Sequence, residues 1–288
     1  MKNHYPMFAI EKMCKVLKVS RSGYYQWLRS KPSAREVENQ MIKERIKEIY
    51  RASKKRYGSP KITKELNHQD IRVSRPRVAR MMRSMNLRSI INKRYKVSTT
   101  DSKHKYSIAD NYLNRNFQVQ RKSQVWVSDI TYFRADQRWL YLTIIMDLYD
   151  RKVIGWALSE SLTAKDTVSA AWTMATLNRP LYDKLLFHSD RGVQYACNEF
   201  TALLAKGKRV TQSMSRKGDC WDNAVAESFF KIIKSEMIYH NRFRSKAHAR
   251  LEVFEFIEIW YNRKRRHSSL GYLTPLEFEQ KEILRKVA

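Results

Sequence analysis

Acidic residues are scarce in this chain: 28 Asp and Glu stand against 57 Lys and Arg, for a formal net charge of +29. A pI near 10.1 points to a polyanionic partner, nucleic acid before anionic membrane. Long apolar runs are missing too. No stretch reaches the length of a membrane span, and the N-terminus has no signal-peptide core, so no membrane role is expected. Cysteine is rare, and Cys14, Cys197 and Cys220 form no close pair. Neither a disulfide framework nor a zinc site is indicated, and a reducing, cytoplasmic setting fits. No internal repeat strong enough for a solenoid is present. What the chain does have is ordinary apolar content, 43%, over 288 residues, enough for one sizeable domain and one or two small ones.

The charge is unevenly spread. Residues 1–123 hold 31 Lys and Arg against 9 Asp and Glu, net +22, whereas residues 124–288 hold 26 against 19, net +7. The front therefore reads as a DNA-facing part and the rear as a more balanced globular domain. Ile10, Met13, Cys14 and Leu17 follow helical spacing, and Ser20 can cap a second short helix with Tyr24, Trp27 and Leu28. Such a pair suggests a helix-turn-helix within residues 1–55, where a longer helix carries Ile42, Ile46, Ile49 and Tyr50. A second helix-turn-helix is expected over 56–90. Ile62 and Leu66 mark its first helix, Ser74 caps its second, and Val78, Met81, Met82 and Met85 line one face. Arg75, Arg77, Arg80 and Arg83 occupy the other faces, long cations able to reach phosphates and base edges. A solvated basic helix that touches nothing is the bland alternative. Residues 91–122 read as a basic linker.

From 123 to 240 the pattern turns α/β. Strands are expected at 125–133, 139–147 and 152–158 as an antiparallel meander, then at 184–188 and 209–213. Helices are expected at 164–177, 196–206 and 222–238. Residues 241–288 form a helical extension whose last helix is expected at 246–262, ahead of the basic run Arg263-Lys264-Arg265-Arg266. Three carboxylates stand in unusual places. Asp129 shares strand parity with Val125, Val127, Thr131 and Phe133, where an unpaired acid costs several kcal/mol. Asp190 follows a strand end, where ligands gather on α/β sheets. Glu227 lies on a helix with Asn223, Lys231 and Lys234 at helical spacing. Each acid alone reads best as a salt-bridge partner.

The strings around them resemble the DDE transposase and retroviral integrase superfamily, closest to the second-frame (OrfB-type) transposase of the IS-three family of bacterial insertion sequences. They are Trp126-Val127-Ser128-Asp129-Ile130-Thr131-Tyr132, Asp147-Leu148-Tyr149-Asp150-Arg151, His188-Ser189-Asp190-Arg191-Gly192 and Cys220-Trp221-Asp222-Asn223-Ala224. Glu227-Ser228-Phe229-Phe230 with Lys234, the tail pieces Tyr261-Asn262 and Arg266-His267, and Tyr57-Gly58-Ser59-Pro60 at the front extend the likeness over nearly the whole chain. The spacing between Asp190 and Glu227 is one residue longer than usual, with the insertion expected around Lys206-Gly207-Lys208. Asp150 stands where many relatives carry serine.

The resemblance implies a ribonuclease-H-like integrase core, a mixed five-stranded sheet with flanking helices, preceded by a basic helical region with helix-turn-helix units. It implies that Asp129, Asp190 and Glu227 are catalytic and hold two Mg²⁺ ions roughly 3.5–4 Å apart, with Mn²⁺ able to substitute. Lys231 and Lys234 would grip substrate phosphates. The implied function is cleavage and joining of insertion-sequence ends by metal-dependent hydrolysis and strand transfer. The implied partners are double-stranded DNA bearing terminal inverted repeats, target DNA, at least one further copy of the chain, and an upstream-frame helix-turn-helix protein. Two rivals are a structure-directed nuclease of the same fold and a DNA-binding regulator with an inactive integrase-like domain.

Overall fold

The computed structural model describes residues 1–91, 105–181, 184–206 and 209–287. Part of the expected linker, 92–104, and the expected insertion at Gly207-Lys208 lie outside the described residues. The chain divides into two compact units, Met1–Arg88 and Ser89–Ala288.

In the front unit, α1 (Ile10–Leu17) and α2 (Arg21–Arg29) form the first helical pair. Ser20 caps α2 as expected, its Oγ accepting from Gly23 N at 3.0 Å. The apolar faces behave differently from expectation. Only Cys14 and Tyr24 are buried, while Leu17 is 58% and Trp27 60% exposed. Two helices of eight or nine residues cannot cover each other's stripes. α3 (Ala34–Ala52) opens with a capping box in which Ser33 and Glu36 exchange bonds. It buries Ile42, Ile46, Ile49 and Tyr50, the stripe expected from the spacing. α4 (Ser59–His68) and α5 (Arg75–Ser84) pack through Ile62, Leu66, Val78, Met81 and Met82. Ser74 stands at the N-cap of α5, but its side chain makes no capping bond; Pro76 in the first turn starts the helix instead.

The rear unit is built on one sheet of order β3-β2-β1-β4-β5. β1 (Val125–Ala135), β2 (Arg138–Asp147) and β3 (Val153–Ser159) form the expected meander. β4 (Leu185–Ser189) and β5 (Val210–Met214) add parallel to β1. β3 is buried along its whole length because α6 (Ala170–Asn178) lies against it. Gly155 permits the approach: a Cβ there would meet Ala171 O at 2.3 Å. The expected helix 164–177 begins as a wider π turn, Lys165–Ser169, before α6. α7 (Val193–Ala196) and α8 (Asn198–Ala205) follow β4, and Trp126, Trp172, Phe187, Tyr195 and Phe200 fill the core between these helices and the sheet.

α9 (Ala224–Glu236) follows a 3₁₀ turn at Cys220–Asn223 and packs on β1 through its buried face, Ala226, Phe229, Phe230 and Ile233. α10 (Lys246–Phe254) runs into a second π segment, Glu255–Tyr261. It is not the last helix: α11 (Pro275–Val287) follows. That helix is docked by ions more than by an apolar stripe, Glu279 bonding Lys122 at 2.7 Å and Lys152 at 2.9 Å, which is why spacing did not announce it. The tail is tied to the sheet elsewhere too. Asn262 brackets Val153, its Oδ1 accepting from the backbone N–H at 3.0 Å and its Nδ2 donating to the carbonyl at 2.9 Å. The basic run 263–266 divides: Arg263 and Lys264 are exposed, whereas Arg265 is buried on Glu236 at 2.8 Å and Arg266 turns inward to Glu277.

Candidate active site

Sheet register brings the first two acids together. β1 and β4 run parallel, with Val127 beside His188 as their last pair. Two residues further on, the strands part, and the same step leads to Asp129 on one and Asp190 on the other. β4 ends there while β1 runs on beside β2, and the parting at the carboxyl end of β4 opens a crevice of the kind that holds ligands in α/β sheets. The third acid arrives on α9. Asn223, just ahead of that helix, donates through Nδ2 to Ser128 O at 2.9 Å, tying the helix start to the residue before Asp129.

Electrostatics report the convergence. Burial pushes the Asp129 carboxyl well above the usual carboxylate range, and the charges of Asp190 and Glu227 push it further. The Ile130 N–H, donating to Oδ1 at 2.8 Å, and the Lys234 ammonium act the other way without reversing the shift. Lys234 is half-buried; burial draws its pKa down while Asp129 draws it up. Tyr195, buried and bonded to Ser128 Oγ at 2.8 Å, is pushed up by burial and by both aspartates. Its neutral ring walls the crevice.

Each carboxylate is turned to a local donor. Asp190 Oδ1 accepts from Gly192 N at 2.9 Å, and Glu227 lies 3.7 Å from Lys231 Nζ, an exposed ion pair. Among the described residues, no three His, Cys, Asp or Glu side chains stand close enough to hold an ion as they are. Like charges that share a crevice turn apart, and a cation between them would draw them in. The donor set itself, carboxylate oxygens only, suits a hard divalent cation.

The integrase core domain family matches residues 119–220 and, through a second integrase core domain family, residues 208–275; an HTH-like domain family matches 36–95. Transposase InsF for insertion sequence IS3A of Escherichia coli strain K12 is 38% identical over 282 residues, 97% of each chain. The insertion element IS600 uncharacterized 31 kDa protein of Shigella sonnei is 38% identical over 269 residues, 93% of this chain and 98% of that protein. The chain belongs to the IS-three (IS3) family of transposases. Among solved structures, the HTLV-2 integrase catalytic core domain in complex with magnesium covers 54% of this chain at TM-score 0.41 and 15% identity. An integrase core together with transposase relatives makes this a family of polynucleotidyl transferases of the DDE type.

In this transposase the HTH-like match covers α3, α4 and α5. Arg75, Arg80 and Arg83 are exposed on α5. Arg77 is not: its guanidinium bonds Glu38 at 2.6 Å and Asn39 at 2.8 Å on α3, so it ties two helices of its own unit together. Three residues beside the acids were not singled out as site residues from sequence: Asn223, Tyr195 and Asp222. Asp222 is fully buried and accepts from Arg216, Arg115 and Asn111 at 2.8–2.9 Å, and the Arg216 bonds above all hold its carboxyl far below the usual range. The signals for them were the family-like string Cys220–Ala224, which contains Asp222 and Asn223, and the helical offset of Asn223, four residues ahead of Glu227. No described helix is long and apolar enough to cross a membrane.

Proposed function

We propose that this chain cuts and joins the ends of an insertion sequence, with Asp129, Asp190 and Glu227 as its metal-holding acids. The observation that carries this reading is the gathering of charge at the parting of β1 and β4: Asp190, Glu227 and the half-buried Lys234 all act on Asp129. Two Mg²⁺ ions, or Mn²⁺ in their place, would supply the charge that activates the attacking oxygen and steadies the leaving one. Asp129 would help to hold both, a reading supported by the charge of each other acid acting on it. Lys234 balances Asp129 until substrate arrives and then faces a phosphate near the scissile bond. Lys231, paired only at the surface with Glu227, exchanges that partner for the DNA backbone. Tyr195 and the core behind it keep water from the inner side of the acids.

The exposed arginines of α5, Arg75, Arg80 and Arg83, contact double-stranded DNA at the terminal inverted repeats, and the two ends are paired by at least two copies of the chain. Target DNA enters the same acid site. An upstream-frame helix-turn-helix protein adds a further DNA contact, and all of this takes place in the cytoplasm.

The decisive measurement is joining of a duplex carrying the element's terminal inverted repeat, in Mg²⁺ or Mn²⁺. Asp129→Asn keeps the side-chain shape and removes a metal-binding charge. It should abolish cleavage and joining while gel-shift affinity for the same duplex is unchanged. Joining that persists in this variant would overturn the assignment.

A further inference from the structure

Most tryptophans of the chain are either buried or covered by a ring. Trp126, Trp156, Trp172 and Trp260 are at most 7% exposed. Trp139 meets Tyr132 edge-on at 5.0 Å, and Trp27 stacks on Tyr24. Trp221 is 69% exposed, and among the described residues no ring or guanidinium packs on it.

Its mount is rigid. Asp219 accepts from Trp221 N at 3.3 Å on one side. On the other, Asp222 is clamped by Arg216, Arg115 and Asn111, and Asn223 is tied to Ser128 O. One anchor point adjoins an acid, since Ser128 precedes Asp129, and α9, which carries Glu227, starts three residues after Trp221. An indole is thus held out at the edge of the acid site on a turn that cannot fold it back. The turn around it is polar, with Arg216, Lys217 and Gly218 all exposed; Arg216 is held by Asp222, and Lys217 has no carboxylate partner among the described residues. An isolated ring in polar surroundings lacks the apolar rim of a protein-docking patch. It fits a nucleic-acid base instead, whose π face stacks on the indole while Lys217 meets a phosphate.

We propose that Trp221 stacks on an unpaired base at the DNA end, next to the scissile phosphate, and so holds the two strands apart for the acids. This rests on the function proposed above. Base faces in a continuous duplex are already covered by their neighbours, so a free face exists only where the end has opened. Trp221 is accordingly a positioning residue for the opened end. Its benefit falls on substrates that must be opened and vanishes on those already open.

The test uses the full-length chain and two duplexes bearing the element's terminal repeat, one fully paired and one mismatched at the two pairs beside the cleavage site. Trp221→Ala should cut the paired duplex about ten- to a hundredfold more slowly, the size of one base–aromatic stack, with unfolding temperature unchanged. On the mismatched duplex its rate should come within about threefold of the wild type on the same range of effects. Trp221→Phe should recover most of the loss. With 5-iodouridine beside the cleavage site, irradiation should cross-link the wild type at Trp221. An equal loss on both duplexes, no loss on either, or cross-linking only elsewhere would overturn the proposal. A wild-type chain that cuts neither duplex in Mg²⁺ would count against the proposed function, and the cross-link would then decide Trp221 by itself.

Discussion

Two groups of acids lie at the sheet, one fully buried and one half-buried, and are treated in different ways. Asp147 and Asp150, at the turn from β2 to β3, are both fully buried, and Arg179 at the end of α6 meets them at 2.6 and 2.7 Å. Asp147 also accepts from the backbone of Ser123 and Tyr149. Burial and the charge of Asp150 still push Asp147 upward, against Arg179. Asp129 receives a backbone bond from Ile130 and the pull of the half-buried Lys234 ammonium, while Asp190 and Glu227 both act against it. The first group carries its arginine within the fold and belongs to the architecture. If the second holds metal, as proposed, part of its balancing charge comes from outside the chain. Burial alone does not mark a functional acid.

The sharpest way to break this contrast is Arg179→Met. It strands two buried carboxylates and should cost about 3–5 kcal/mol in urea unfolding, with no recovery on adding Mg²⁺. Recovery by Mg²⁺ would mean that the first group also accepts metal. The second test reverses the sign. Divalent metal at a hundred times its dissociation constant should stabilise the wild type by about 2.7 kcal/mol and leave Asp129→Asn unmoved. Without metal, Asp129→Asn should be more stable than wild type at neutral pH. A carboxyl whose folded pKa is raised favours folding at low pH, and that advantage is lost as pH climbs from the ordinary carboxylate range through the raised value. Identical melting curves for the two proteins would remove the claim that the Asp129 carboxyl is held above its usual range.

Lys234→Ala should slow joining by roughly ten- to a hundredfold, the worth of a hydrogen bond to a charged group, with the Mg²⁺ requirement and fold intact and partial recovery in Lys234→Arg. Wild-type rates in the alanine variant would make Lys234 an ordinary solvated lysine. In the front unit, replacing Arg75 or Arg80 should flatten the log–log salt dependence of DNA binding by about 0.9 per lost phosphate contact. Replacing Arg77, already engaged by Glu38, should lower stability more than it changes that slope. The smallest effect expected is at Glu279. Burial pushes this carboxyl up, but Lys122 and Lys152 overcome it and hold it at about 2. Its contribution to docking α11 should be complete above about pH 4.5 and fade as the pH falls toward 2, visible as a tail signal at Tyr149, which bonds Glu282. Titration of that signal near 4.5 would show that the lysines do not hold Glu279.

Much of the sheet was legible because its strands are dense in β-branched and aromatic residues, and the five expected strands lie within a residue or two of those observed. Glu227 and Asp190 stood out by placement, Asp129 by parity. The meeting of Asp129 with Asp190 was legible only through the family resemblance and not from spacing, since parallel register is set across 61 positions of chain by helices packing on the sheet. Nothing in the spacing singles out Arg179, which turns inward to two buried acids. The run Arg263-Lys264-Arg265-Arg266 reads as one cationic patch, yet half of it serves internal carboxylates. Ser74 has a capping residue's identity without its bond, and Leu17 and Trp27 have core spacing without a core.

The bracket between Asn262 and Val153, with Glu279 closing on Lys152, has a consequence in time. The third strand of the sheet is joined to residues that leave the ribosome more than a hundred positions later, and α11 settles on the connection between β2 and β3 later still. Contacts of such long sequence separation form late. A nascent or truncated chain would therefore expose its basic front, able to hold DNA, before the acids behind it were locked in place. The order of synthesis delivers grip first and cutting last, and a fragment ending before Asn262 would compete for DNA ends without breaking them.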